Sequence, residues 1–157
     1  MQLYEKYVIE TVDEKTGRLT KIDFHIPDDF NFGFDVVDFW GKNTPDKTAL
    51  LWVGEHHEEK TFTFSDMMRL TNKTANYFRS LGIKKGDRVM LILRRHYQFW
   101  FSIVALHKIG AIVIPATDQL MKKDLVYRFN LAGVSAVVIS STGSIVDEAE
   151  KAFEQCD

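Results

Sequence analysis

The chain has 157 residues, 45% of them hydrophobic, 13% aromatic and 27% charged, with a formal net charge of −2. That length fits one globular domain, and the apolar fraction lies well above that of disordered chains. A balance of 20 basic against 22 acidic residues leaves no basic footprint for nucleic acid, and the single cysteine, Cys156, excludes an intrachain disulfide or a cysteine zinc cage.

The start of the chain shows neither the basic n-region nor the apolar h-region of a signal peptide. Its most apolar stretch, residues 99–106, falls far short of the roughly 18–20 residues a bilayer demands. The expected compartment is therefore the cytoplasm, which suits one unpaired thiol. Residues 1–31 read as an arm: they carry a turn at Asp13-Glu14-Lys15-Thr16-Gly17 and at most a short strand in the alternation Leu19-Thr20-Lys21-Ile22-Asp23-Phe24.

From Phe32 onward the pattern tightens. Phe32, Val36, Phe39 and Trp40 recur at helical spacing and predict a helix that stops before Thr44-Pro45, since a residue preceding proline avoids the α region. Residues 48–53 and 60–64, separated by the polar run Gly54-Glu55-His56-His57-Glu58-Glu59, predict a β-hairpin. Adjacent residues on a hairpin do not readily converge on one ion, so the His and Glu of that run predict no metal site. Thr63 with Asp66 fits a capping box, and behind it Met67, Met68, Thr71, Ala75, Phe78 and Leu81 line one helical face that Gly82 closes.

The apolar run 88–93 predicts an interior strand, and a helix over about 97–109, apolar nearly all round, should be buried between layers. Gly110 ends that helix and residues 111–115 resume a strand. A helix through Leu125, Phe129 and Ala132, a strand over 134–139 and a helix from about Ser144 repeat the cycle. The expected fold is a three-layer α/β/α arrangement with a mostly parallel sheet plus a β-hairpin.

Ligands in open parallel sheets collect beyond the carboxyl ends of the strands, and three such ends carry polar residues. Arg94 and Arg95 place two cations at a helix start, where they oppose the helix dipole and could meet an anion; two solvated arginines are the plainer alternative. Thr117-Asp118-Gln119 could hydrogen-bond a ligand, although capping of the next helix is favoured. Ser140-Ser141-Thr142-Gly143-Ser144 resembles a phosphate nest but lacks the second glycine and the lysine, and a Ser144–Asp147 capping box accounts for the turn without a ligand. No Gly-x-Ser-x-Gly or Gly-x-Gly-x-x-Gly motif occurs.

At Leu81-Gly82-Ile83-Lys84-Lys85-Gly86-Asp87-Arg88-Val89 the sequence resembles the adenylate-forming (AMP-binding) superfamily. The likeness runs on through Ala105, Lys108-Ile109-Gly110-Ala111, Pro115 and Leu125-Val126-Tyr127-Arg128, and so over residues 32–157. Medium-chain acyl-CoA synthetases look most similar, through Phe30-Asn31-Phe32, Asp35-Val36-Val37-Asp38, Ala49-Leu50-Leu51-Trp52-Val53 and Pro115-Ala116-Thr117-Asp118-Gln119-Leu120-Met121. The sequence departs from them at Arg94 and Tyr97, where those proteins usually carry prolines.

The resemblance implies a two-step reaction. A carboxylate attacks the α-phosphate of Mg²⁺-ATP to give an acyl-adenylate and pyrophosphate, and the thiol of coenzyme A then displaces AMP. The family's Ser-Gly-Thr-Thr-Gly-x-Pro-Lys, Thr-Gly-Asp and late-lysine motifs are not found in this sequence. The implied reading is an N-terminal fragment of an acid–thiol ligase. Residues 32–157 would be a partial AMP-binding domain without catalytic or metal-binding residues, inactive alone and binding neither ATP, Mg²⁺ nor coenzyme A tightly. By the resemblance Gln119 lies on the coenzyme A path, with Thr117 and Asp118 as weaker neighbours and Arg95 as a candidate anion contact. Two alternatives stand beside it: a non-catalytic module that associates through an exposed sheet edge, and a ligase that loads a carrier-protein thiol.

Overall fold

A computed structural model describes residues 2–156, and the chain divides between Phe30 and Asn31 into two compact units. In the first, a 3-10 turn (Leu3–Lys6) leads into an antiparallel hairpin of β1 (Val8–Val12) and β2 (Leu19–Phe24), with Val8 opposite Phe24 and Thr11 opposite Lys21. The Asp13 carboxylate closes the turn by accepting from the amides of Lys15 and Thr16 and from the Thr16 hydroxyl. Those bonds hold its carboxyl below the usual range. The sequence pattern predicted only the second strand. The hairpin buries little, and Ile9, Val12, Ile22 and Phe24 are all exposed, so no inside-outside alternation marks its first strand.

The second unit begins with a π-helix (Phe32–Asp38) running into α1 (Phe39–Asn43), followed by the hairpin of β3 (Thr48–Val53) and β4 (Glu59–Thr63). Then come α2 (Phe64–Ser80), β5 (Arg88–Ile92), α3 (Gln98–Ile109), β6 (Ile112–Pro115), α4 (Lys122–Ala132), β7 (Ala136–Ile139) and α5 (Ile145–Phe153). β5 is central, with β6 and β7 parallel to it on either side, so that Leu91 faces Pro115 on one strand and Val138 on the other. Val89, Met90, Leu91 and Ile92 are all 0% exposed, as expected of a parallel strand covered on both faces.

Side-chain alternation along β5 builds the layers. Met90 and Ile92 pack with Leu125 and Phe129 of α4 and with Ile145 and Ala149 of α5. Val89 and Leu91 pack with Ala75 and Phe78 of α2 and with Ala105 and Leu106 of α3. This is the three-layer α/β/α order with a parallel sheet and a hairpin. A third cluster of Val37, Met67, Phe101 and Val104 ties the π-helix to α2 and α3. Burying one such aliphatic or aromatic side chain contributes about 1.5–3 kcal/mol.

The capping box at Thr63 forms as expected: the Asp66 amide donates to the Thr63 hydroxyl, and the Thr63 amide donates to the Asp66 carboxylate. Gly110 ends α3 at φ 75°. Five local expectations need correction. The first helix buries Gly33, Val37, Asp38 and Gly41, not the Phe32, Val36, Phe39, Trp40 stripe, because a π-helix is wider than 3.6 residues per turn and rotates its face. Leu81 is exposed beyond the end of α2, and Trp100 is 49% exposed on a helix expected to be buried all round. Ser144 makes no capping hydrogen bond to α5. Finally, α4 starts at Lys122, and the Asp124 carboxylate accepts from the Met121 amide, so Thr117, Asp118 and Gln119 do not cap it.

Candidate functional site

The three strand ends meet at the carboxyl edge of the sheet. α3, which follows β5, covers one face and α4, which follows β6, covers the other; ligands collect where connections diverge in this way. After β5 the chain turns sharply. The His96 amide donates to the Leu93 carbonyl (3.0 Å), and Arg94 takes φ 27°, an uncommon conformation for a residue with a Cβ. A proline is locked near φ −65°, so a sequence with proline at position 94 could not follow this course.

Three contacts hold the turn. The Trp52 indole of β3 donates to the Arg95 carbonyl (2.5 Å). The Tyr97 ring sits 5.3 Å from Trp52, 5.2 Å from Phe62 and 5.7 Å from Phe101, with the Lys60 ammonium 4.6 Å above it. The Arg94 guanidinium Nε donates to the Asp118 carboxylate at 2.8 Å. That last bond joins the first two strand ends.

The loop after β6 is fixed from below. The Ala116 amide donates to the Leu91 carbonyl (2.9 Å) and Leu120 is buried. The Gln119 amide donates to the Thr117 hydroxyl (3.3 Å). Thr117 and Gln119 are exposed and Asp118 is half-buried. Among the described residues the Gln119 carboxamide makes no hydrogen bond, so its donor and acceptor stand free on an anchored loop.

The structure thus brings Thr117, Asp118 and Gln119 together with Arg94, and it uses Arg94 internally instead of leaving it for an anion. Arg95 is exposed and its side chain forms no ion pair among the described residues. The Ser140 amide donates to the Ile92 carbonyl (3.1 Å), joining the third strand end, while its buried hydroxyl finds no partner among the described residues. The described residues contain no group of three His, Cys, Asp or Glu able to hold a metal ion. Sequence reasoning missed the Arg94–Asp118 pair and the roles of Trp52, Lys60 and Tyr97. Each joins residues on different elements, and no local spacing signals such a partner.

A second polar cluster lies toward the other end of the sheet. The Lys108 ammonium donates to Asp38 (2.6 Å) and to the Asn72 carboxamide oxygen (2.7 Å), with side chains 1% exposed for Lys108 and 7% for Asp38. Burial pushes the Lys108 ammonium below the usual lysine range, and Asp38 opposes that push. Burial likewise lowers the neighbouring His107 imidazole, whose Nδ1 has no hydrogen-bond partner among the described residues. The Asn31 amide group donates to the His107 carbonyl (2.8 Å), tying the start of the π-helix to the end of α3.

The AMP-binding enzyme family matches residues 37–157. Among similar proteins, the mitochondrial acyl-coenzyme A synthetase ACSM1 of Mus musculus is 36% identical over 141 residues, which cover 85% of this chain and 24% of the relative. The mitochondrial acyl-coenzyme A synthetase ACSM3 of Homo sapiens is 35% identical over 120 residues, 72% of this chain and 20% of the relative. An acyl-CoA synthetase of Brucella canis superposes with a TM-score of 0.71 at 24% identity, over 78% of this chain and 22% of its own. A benzoate CoA ligase of Burkholderia xenovorans LB400 gives 0.67 at 20% identity, over 81% of this chain and 24% of its own. The chain therefore spans about a quarter of the length of the proteins it matches.

Proposed function

The chain belongs to the AMP-binding enzyme family, and from that premise we propose that it forms the N-terminal part of an ATP-dependent acyl-CoA synthetase of medium-chain type. The proposed reaction joins a carboxylate to the α-phosphate of ATP, releasing pyrophosphate, and then passes the acyl group to the thiol of coenzyme A. ATP and coenzyme A enter as substrates, with magnesium accompanying the nucleotide. The chemistry of adenylation is assigned to sequence beyond this segment, so the 157-residue chain is expected to be inactive by itself.

The part assigned to this segment is one wall of the coenzyme A entrance. A single observation supports it: the free Gln119 carboxamide stands on a loop fixed by the Arg94–Asp118 bond and by buried Leu120. A carboxamide both donates and accepts, which suits the amide-rich pantetheine arm of coenzyme A. Thr117 and Asp118 shape that loop, and exposed Arg95, next to the Arg94 that bonds Asp118, is the candidate anion contact.

In the full-length enzyme, Gln119→Ala should weaken the use of coenzyme A while sparing carboxylate-dependent ATP–pyrophosphate exchange. Equal loss in both half-reactions would remove Gln119 from the path. An acceptor thiol on a carrier protein would show instead as turnover with the carrier and none with free coenzyme A. Carboxylate-dependent exchange catalysed by the 157-residue chain alone would overturn the division of labour.

The competing reading, a module that self-associates, draws on the free outer sides of β6 and β7 in the described sheet and on exposed Ile112 and Leu131. Sedimentation as a monomer at high concentration counts against it. No helix among the described residues is long and apolar enough to cross a membrane. The cytoplasm is the proposed compartment, and imaging a tagged full-length protein tests it against the mitochondrion named for the relatives.

A further inference from the structure

A cleft of ≈ 640 Å³ opens beside the buried Lys108, lined by Arg79 at the end of α2, by Lys84 and Lys85 in the loop before β5, and by Asn72, Asn76 and Phe34. It lies at the amino ends of β5 and β6, the opposite end of the sheet from the Gln119 loop. Its volume is in the range of small-molecule sites. Among the described residues no carboxylate lines it, although acidic residues outnumber basic ones in the whole chain.

The nearby acids are already engaged. Asp38 is bonded to Lys108, and the Asp87 carboxylate accepts from the Lys84 amide (2.9 Å). Arg79, Lys84 and Lys85 form no ion pair among the described residues. Cations in a last helical turn are ordinarily explained by the helix dipole. That accounts for Arg79 and Lys108, which sit in the last turns of α2 and α3. It does not account for Lys84 and Lys85, which lie outside any helix. Gly110 lets the Lys85 stem lie across it, since a Cβ there would stand 3.0 Å from the Lys85 Cγ. The cleft therefore gathers three cations outside any ion pair among the described residues, the carboxamides of Asn76 and of Asn72, the latter already accepting from Lys108, and a half-exposed Phe34 ring with the Lys108 ammonium 5.4 Å from its centroid.

We propose that this cleft binds a pyrophosphate-bearing anion, with Arg79, Lys84 and Lys85 meeting the phosphate oxygens and Phe34 offering a face to any attached base. Charge-assisted bonds to phosphate are short and strong, and an arginine adds a planar fork of donors. Inorganic pyrophosphate and a nucleoside diphosphate share the recognised group. The proposal does not depend on the ligase reading.

The test titrates the chain with pyrophosphate and, separately, with ADP, followed by backbone amide shifts. Saturable shifts are expected at residues 76–85 and 108–109, and binding should weaken as salt is raised. A variant carrying Lys84→Glu and Lys85→Glu should lose about tenfold or more in affinity, as expected for loss of one charge-assisted bond, with its circular dichroism unchanged. Phe34→Ala should reduce ADP binding while sparing pyrophosphate; no effect on either would leave pyrophosphate itself as the recognised ligand, and an equal loss of both would refute the role given to Phe34. Absence of saturation up to about 10 mM, the weak limit for a specific site, would refute the proposal. So would wild-type affinity in the double variant, or shifts confined to residues 116–121 and 140–144.

Discussion

Replacing Lys108 with methionine isolates the cost of an unpaired buried charge. Methionine keeps most of the aliphatic stem, so its packing term stays below about 1.5 kcal/mol. What disappears is the ammonium 2.6 Å from Asp38 and 2.7 Å from Asn72, at a place where the Lys108 side chain is 1% exposed. Asp38 is then left as a buried carboxylate without its counter-charge, and breaking such a pair costs about 3–5 kcal/mol. With a urea m-value of about 2 kcal/mol/M, the unfolding midpoint should fall by about 2 M. Trp40, Trp52 and Trp100 all lie in the second unit, so tryptophan fluorescence reads the unit that holds the pair.

Substituting both partners, Lys108→Met with Asp38→Leu, should recover most of that loss, because an apolar pair of similar volume has no desolvation penalty. The depressed Lys108 ammonium points the same way, since burial is the largest influence on it. Below 10.5 the unfolded state holds more protons at this lysine than the folded state does. Stability should therefore rise with pH across the window just below 10.5, and Lys108→Met should flatten that rise. A single variant that shifts the midpoint by less than about 0.5 M, or a double variant as unstable as the single one, would refute the reasoning.

Four further outcomes can be checked by the same unfolding assay. Arg94→Gly should stabilise by about 1 kcal/mol: it relieves a conformation at φ 27° worth about 1–3 kcal/mol, against an exposed ion pair worth about 0–1 kcal/mol. Arg94→Ala keeps the conformation, loses the pair, and should not stabilise. Thr63→Ala removes the α2 cap and should cost about 1 kcal/mol, while Thr63→Ser should not. Gly33→Ala places a Cβ against the Lys108 stem and should cost about 1–3 kcal/mol through overpacking. His107 is held below its ordinary 6.5 by burial, so the unfolded state takes up a proton first as pH falls. Stability should therefore decline below about pH 6.5, and His107→Gln should remove that part of the decline.

The central sheet and its helices could be read from the sequence because their signals are local. β5 is a continuous apolar run, the Thr63–Asp66 box marks a helix start, and Gly110 marks a helix end. The first hairpin is only half legible because it hardly buries a face, and the Phe32–Trp40 stripe does not mark the buried face because a π-helix does not follow the 3.6-residue period. At the strand ends, the residue types at 117–119 mark a polar loop. Their grouping with Arg94 depends on the order β6-β5-β7, which no single segment encodes. The Lys108–Asp38 pair was invisible for a like reason: a lysine near a helix end reads as solvated until the fold closes over it.

The Trp52 hydrogen bond to the Arg95 carbonyl has a mechanical consequence. It couples the β3–β4 hairpin, which forms no ladder with the central sheet, to the residue beside Arg94, and Arg94 passes the constraint to Asp118. A sideways tilt of the hairpin would pull through these two bonds on the Gln119 loop. A molecule seated against that loop would stiffen a hairpin that it never touches, and loosening the indole anchor would blur the loop from a distance.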